Sequence, residues 1–232
     1  MTVVKKVLIV NTSTDHFADS DVPTGLWLGE LVHFYDLLHQ NHVQIDIVNT
    51  KGGLTPIDPV STSRFMLDKL TKKYLNDDTF MTLLKNSPSI KEVTPTDYNA
   101  VYFTGGHGVM YDFPGNPDIQ RVIAAVRENG GVVSAVCHGI CAFLDFKGRD
   151  GRYYVDGKRL TGFSNIEEKL ANRKKLVPFM LETKLKNESA DYSRGFLPFR
   201  PYVVQDGHLV TGQNPQSPKG VAEKVLELLN VK

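Results

Sequence analysis

The 232 residues carry 27 Lys and Arg against 26 Asp and Glu, for a formal net charge of +1, and the basic residues are spread along the chain rather than gathered on one face. That balance leaves no electrostatic footprint for nucleic acid. No stretch approaches the ~18 apolar residues of a membrane span. The first apolar run, Val7 to Val10, is too short for a signal-peptide core and has no small-residue cleavage site after it. Cys137 and Cys141 stand one helical turn apart, which suits neither a disulfide framework nor a secreted scaffold, so the chain reads as cytoplasmic.

In chain order, strand-like runs recur between helix-like stretches: Lys6 to Val10, Val43 to Val48, Ala100 to Phe103 and Val132 to Val136. They are short, rich in Val and Ile, and do not alternate, as parallel strands covered on both faces should. Between the first two, Trp27, Leu31, Phe34, Leu37 and Leu38 recur at helical spacing and predict a helix over 24–40, completing a βαβ unit. The texture changes over 51–90. This stretch holds Thr-Pro-Ile-Asp-Pro and room for helices over 63–75 and 78–84, and it reads as an insertion of the kind that often roofs a site. Alternation resumes with a helix over 117–129, ended by Gly130-Gly131. Beyond the fourth strand come a hairpin-like 153–160 around Asp156-Gly157, a helix over 177–187, an Asp206-Gly207 turn between two strands, and a last amphipathic helix to Leu229. No internal repeats occur. The expected architecture is a flavodoxin-like, doubly wound, mostly parallel α/β sheet with helices on both faces, forming a single domain over 1–232 with a small inserted helical segment.

Two stretches carry chemistry. In Gly130-Gly-Val-Val-Ser-Ala-Val-Cys-His-Gly-Ile-Cys141 a buried strand ends in small residues and is followed by Cys137, His138, Gly139 and a short helix. In open α/β sheets ligands sit at the strand carboxyl ends. A cysteine there faces the helix dipole and free backbone N–H groups, which lower a thiol pKa, so Cys137 is expected to be a nucleophile. Cys141, deeper in the helix among Ile140, Phe143 and Leu144, reads as packing. The spacing fits neither haem attachment nor a thiolate zinc site, so no metal is expected. The second stretch, Thr104-Gly-Gly-His-Gly-Val109, follows the third strand. Its glycines Gly105 and Gly106 let backbone amides approach a bound oxygen, and His107 lines the pocket or merely packs in the turn. No Gly-x-Gly-x-x-Gly or phosphate-cradling loop follows the first strand, so no cofactor is expected.

Together, Gly-Gly-His-Gly, Ala-Val-Cys-His-Gly, the early segment Gly25 to Glu30 and the late Thr161-Gly-Phe-Ser-Asn-Ile-Glu-Glu168 resemble the ThiJ/PfpI superfamily, which is class I glutamine amidotransferase-like. The resemblance is to its glutathione-independent glyoxalase III and chaperone-like branch, and runs from Lys5 to the closing Val210-Thr-Gly-Gln-Asn-Pro-Gln-Ser217. It implies Cys137 as nucleophile, His138 as acid-base residue, Glu30 as a carboxyl hydrogen-bonded to the cysteine, and Glu168, or Glu167 with a one-residue slip, as the acid that orients the histidine. It also implies a homodimer. The leading expectation is conversion of methylglyoxal, a small dicarbonyl, to lactate, with the oxyanion held by amides at Gly106 and His138 and with Gly139 in the pocket. A cysteine hydrolase, a chaperone or protein deglycase, and a redox sensor use the same residues and stay open as alternatives.

Overall fold

The computed structural model describes residues 4–231. Strand β1 (Lys6–Asn11) runs into helix α1 (Leu28–Gln40) and returns as β2 (Gln44–Asn49), parallel to β1. Helices α2 (Lys69–Leu75) and α3 (Asp78–Lys85) precede β3 (Ala100–Phe103), and α4 (Val109–Asp112) and α5 (Pro117–Glu128) precede β4 (Val132–Val136). A 3-10 helix over Cys137–Phe143 follows directly. The remainder supplies β5 (Arg159–Leu160), α6 (Asn165–Leu170), α7 (Leu181–Asn187), β6 (Asp191–Tyr192), β7 (Val203–Asp206), β8 (Leu209–Gly212) and α8 (Pro218–Leu228).

Six strands form one sheet in the order β2-β1-β3-β4-β8-β7, parallel except for β7. The expected doubly wound α/β sheet is therefore present. The chain steps from β1 outward to β2, then returns to the other side of β1 with β3. Right-handed crossovers consequently place α1 and α5 on opposite faces, with α8 packed beside α1. The largely apolar central strands follow from this double cover: every residue of β3 and β4 is buried, Ser134 included. Tyr102 shows how a helix is fixed to the sheet. Its ring stacks on Phe34 of α1 at 3.6 Å, and its hydroxyl donates to the Glu30 carbonyl at 2.9 Å, which sets the height of Glu30 above the strand ends.

Several boundaries differ from expectation. The first helix starts at Leu28, not residue 24, because 24–27 is an extended segment that lies against 56–58 and the Gly105 carbonyl. The helix expected from 63 begins at Lys69, where Asp68 caps it by accepting from the Thr71 amide. The helix expected from 177 begins at Leu181. No hairpin forms over 153–160; that segment turns at Gly157 and enters β5, which pairs in parallel with β6. The Asp206-Gly207 hairpin forms as expected between β7 and β8. Helix α2 packs on α1, with Tyr74 donating to Asp36. It is the loop before it, at Asp58, that reaches towards the site. Among the described residues no helix is long and apolar enough to cross a membrane.

Candidate active site

The carboxyl ends of β1, β3 and β4 lie side by side at the point where the strand order reverses, the place where such sheets bind ligands. Cys137 follows β4 with φ of 57°, a left-handed conformation costly for a side-chain-bearing residue, of order 1–3 kcal/mol. The turn is held by close packing: a side chain at Gly139 would stand 2.4 Å from the Phe103 carbonyl, and one at Gly105 would stand 2.5 Å from Glu30 Oε2 and 3.0 Å from Cys137 Cβ. Gly106, at φ of 100°, lies against the backbone of Gly25 and Trp27. Of the residues expected in the pocket, Gly105 stands against Cys137 and His107 against His138 at 4.2 Å between ring centroids, Gly139 lies in the Cys137 turn, and Gly106 packs on the backbone of the Gly25–Trp27 segment.

Two carboxyls flank the cysteine. On one side Glu30, fully buried on α1, accepts from the Gly105 amide at 2.7 Å through Oε2, while Oε1 has no partner of good geometry. Burial raises its pKa to about 8, with hydrogen bonding to Cys137 and to the Gly105 amide opposing. On the other side Cys137 Sγ is 3.4 Å from His138 Nδ1, and His138 Nε2 is 2.7 Å from Glu168 Oε2. The second oxygen of Glu168 is 2.9 Å from His107 Nε2. Burial raises the Glu168 pKa, but the charge of His138 and hydrogen bonds from both imidazoles outweigh it and hold the carboxyl well below the usual range. His107 is pushed down to about 4, first by burial and then by the His138 charge.

One expectation needs correction. The helix dipole was expected to lower the Cys137 pKa, yet the thiol is pushed well above its ordinary value by burial and by the Glu30 charge, with only the His138 amide pulling the other way. The following helix is seven residues of 3-10 geometry, too short and too enclosed to outweigh desolvation. Cys137 is 3% and His138 1% exposed. Glu30 and the sulfur are thus coupled, and negative charge on one disfavours it on the other.

Glu167 and Glu168 differ in their partners: Glu168 meets His138, and Glu167 does not. Ser164 caps α6 by accepting from the Glu167 amide, and the Glu167 carboxylate reaches back to the Ser164 amide, so Glu167 closes a capping box. It also accepts from Phe199, Gln213 and Asn214. The pattern Ser164-Asn-Ile-Glu167 is the sequence signature of that box and is the signal that could have separated the two glutamates. Arg173 and Asp58 were missed. Arg173 Nη1 is 2.6 Å from Asp58 Oδ2 and 3.4 Å from His107 Nδ1, and nothing in the local sequence of either loop marks this meeting. Phe163 packs on His138 at 4.5 Å between ring centroids, with Phe199 behind it.

His107, His138 and Glu168 place ligating atoms within 4.8 Å of one another, a spacing that could hold a metal ion; in this arrangement the two carboxylate oxygens are taken by the two imidazoles. The fold and the buried cysteine, histidine and carboxylate define the class: an α/β protein with a cysteine elbow at the strand carboxyl ends.

Comparison with known proteins narrows the class. The model of the DJ-1/PfpI family matches residues 25–228, and the chain belongs to this family. Glyoxalase 3 of Candida albicans is 30% identical over 230 residues, covering 96% of this chain and 97% of that protein. A probable glutathione-independent glyoxalase of Schizosaccharomyces pombe is 32% identical, covering 89% of this chain and 90% of its own length. Among solved structures, the rapid encystment protein of 24 kDa from Francisella tularensis superposes with a TM-score of 0.93 at 39% identity, covering 97% of this chain and 99% of the other. Glyoxalase III from Candida albicans superposes at 0.86 and 31% identity, covering 97% of each.

Proposed function

We propose that this chain is a glutathione-independent glyoxalase that converts methylglyoxal and water to lactate, with Cys137 as nucleophile. The observation that carries the reading is a Cys–His–Glu set so enclosed that Cys137 is 3% exposed. A two- or three-carbon dicarbonyl reaches such a sulfur with small adjustments, whereas a peptide needs an open cleft. Full-length similarity to proteins named as glutathione-independent glyoxalases points the same way.

In this mechanism the thiolate forms as Cys137 gives its proton to His138 Nδ1, and it adds to the aldehyde carbon. A C–S bond forms, and the carbonyl oxygen becomes an oxyanion facing amides at Gly106 and His138. His138 hands the thiol proton to the oxyanion, giving a neutral hemithioacetal. Held by Glu168, it then removes the hydrogen from that carbon to form an enediol and returns it to the neighbouring carbon, while the hydroxyl proton of the first carbon passes to the second oxygen, leaving a lactoyl thioester. Water then cleaves the C–S bond, releasing lactate and restoring the thiol. Hydrogen is moved within the substrate, so no outside oxidant or reductant is required. Glu30, protonated near neutrality by its burial, interacts with Cys137 and stabilises the thiolate without adding a second negative charge.

We further treat 1–232 as one domain with 51–90 inserted, working in the cytoplasm as a homodimer. The test of function is purified protein with methylglyoxal, no glutathione, and stereospecific detection of lactate. Lactate from the wild type and none from Cys137→Ala supports the reading. A folded wild type that forms no lactate but hydrolyses amides turns the same residues into a cysteine hydrolase.

A further inference from the structure

Behind the Cys137–His138–Glu168 row stands a second row that the proposed chemistry does not use: His107, Arg173 and Asp58. Arg173 sits in the loop after α6 and Asp58 in the loop before α2, so the two are brought together only by the fold. Asp58 is fully buried and faces the Arg173 fork with both oxygens, at 2.6 Å and 3.4 Å, while also accepting from Thr24 and the Val60 amide. The guanidinium lies 5.3 Å from the centre of the Phe17 ring, which fixes its plane. So held, Nη1 meets His107 Nδ1 at 3.4 Å.

We propose that Arg173 is a positioning residue that locks His107 in the tautomer with its proton on Nε2, and thereby keeps Glu168 clamped between two imidazole donors. A guanidinium has five donors and no acceptor, so the nitrogen facing it must offer a lone pair. Neutral imidazole has one N–H, which is then forced onto Nε2, 2.9 Å from Glu168 Oε1. The opposite tautomer would set N–H against N–H at Arg173 and lone pair against carboxylate at Glu168, two repulsions inside a buried site. The doubly protonated ring would face both the Arg173 cation and His138, whose ring centre is 4.2 Å away. The rings of Phe17 and Phe163 also pack on His107 and favour neither tautomer.

The consequence reaches His138 through one carboxylate. With both oxygens engaged, Glu168 cannot rotate, and His138 keeps Nδ1 as the acceptor that faces Cys137 Sγ at 3.4 Å. Lysine would not substitute fully, because its single ammonium lacks the planar fork that spans Asp58 and the imidazole together.

This inference rests on the proposed role of Glu168, but its first test does not use turnover. Long-range ¹H–¹⁵N spectra of the imidazole nitrogens, with His107 assigned by loss of its signals in His107→Asn, report the tautomer directly. The expected wild-type result is a protonated Nε2 and an unprotonated Nδ1. In Arg173→Met the Nδ1–H form appears, and kcat falls by up to about a hundredfold with KM little changed; Arg173→Lys recovers part of both. A wild-type ring protonated on Nδ1, or an Arg173→Met spectrum identical to wild type, overturns the proposal. If Arg173→Met does not fold, the wild-type spectrum and Asp58→Asn, which frees the fork, still decide it. An Nε2–H ring in a protein that makes no lactate keeps the tautomer lock and removes the glyoxalase reading; lactate formation with an Nδ1–H ring does the reverse.

Discussion

The α1 side and the α6 side of Cys137 each present a buried glutamate, and the two carry opposite charge states. Glu30 is fully buried and Glu168 is 2% exposed, so burial does not distinguish them. The donors do. Glu30 receives one backbone amide, from Gly105, besides its interaction with Cys137, and it stays protonated to about pH 8. Glu168 receives an imidazole on each oxygen and stays ionised well below the ordinary carboxylate range. Desolvation is thus overturned on one side and left standing on the other by the number of hydrogen-bond donors. One carboxyl is a neutral acid beside the sulfur, the other an anion behind the histidine.

Removing the sulfur between them should have the largest effect. Cys137→Ala is expected to lower methylglyoxal turnover by about four orders of magnitude or more while leaving the melting temperature near wild type or above it, since the left-handed cysteine no longer needs to be desolvated. Glu168→Gln keeps the shape but removes the anion and offers an N–H where an acceptor is needed. Its kcat should fall about 10³- to 10⁴-fold, read from initial rates of lactate formation. Glu30→Gln keeps a neutral group beside the sulfur but cannot exchange a proton, and about a hundredfold loss in kcat is expected.

Stability against pH sharpens the contrast. For Glu30, the unfolded chain loses the proton through its ordinary 4.5 while the folded chain holds it to about 8. Its contribution is therefore full below pH 4.5 and is lost as the pH rises towards 8, and Glu30→Gln should flatten that part of a denaturation profile. Glu168 has the opposite sign: its folded pKa is depressed, so its contribution is present above pH 4.5 and is lost on acidification. The smallest effect on turnover is expected one residue away. Glu167→Gln breaks acceptors for Ser164, Phe199, Gln213 and Asn214, costing about 1–3 kcal/mol in a urea denaturation curve while leaving kcat near wild type.

Legibility from sequence followed the range of the interactions. The parallel strands, the cysteine elbow and the Asp206-Gly207 hairpin are local patterns of apolar runs and turn residues, and all were readable. Glu30 and Glu168 came from resemblance, and the capping pattern at Ser164 would have separated Glu168 from Glu167 without it. What could not be read depends on distant loops meeting. Asp58 and Arg173 are 115 positions apart, and each alone is an ordinary loop charge. The Cys137 pKa failed for a related reason: a dipole argument counts the local helix, whereas the sulfur's environment is set by walls from α1, β3 and α6 that close over it. The 153–160 segment misled because Asp156-Gly157 makes a tight turn in either a hairpin or an approach to a parallel strand.

The central claim is that one carboxyl at this site is protonated at neutral pH and the other is not. Infrared difference spectra at pH 7, wild type minus Glu30→Gln and wild type minus Glu168→Gln, test it directly. The account predicts a protonated-carboxyl C=O band in the first difference and only carboxylate bands in the second. A carboxylate signal for Glu30, or a protonated band for Glu168, would contradict it.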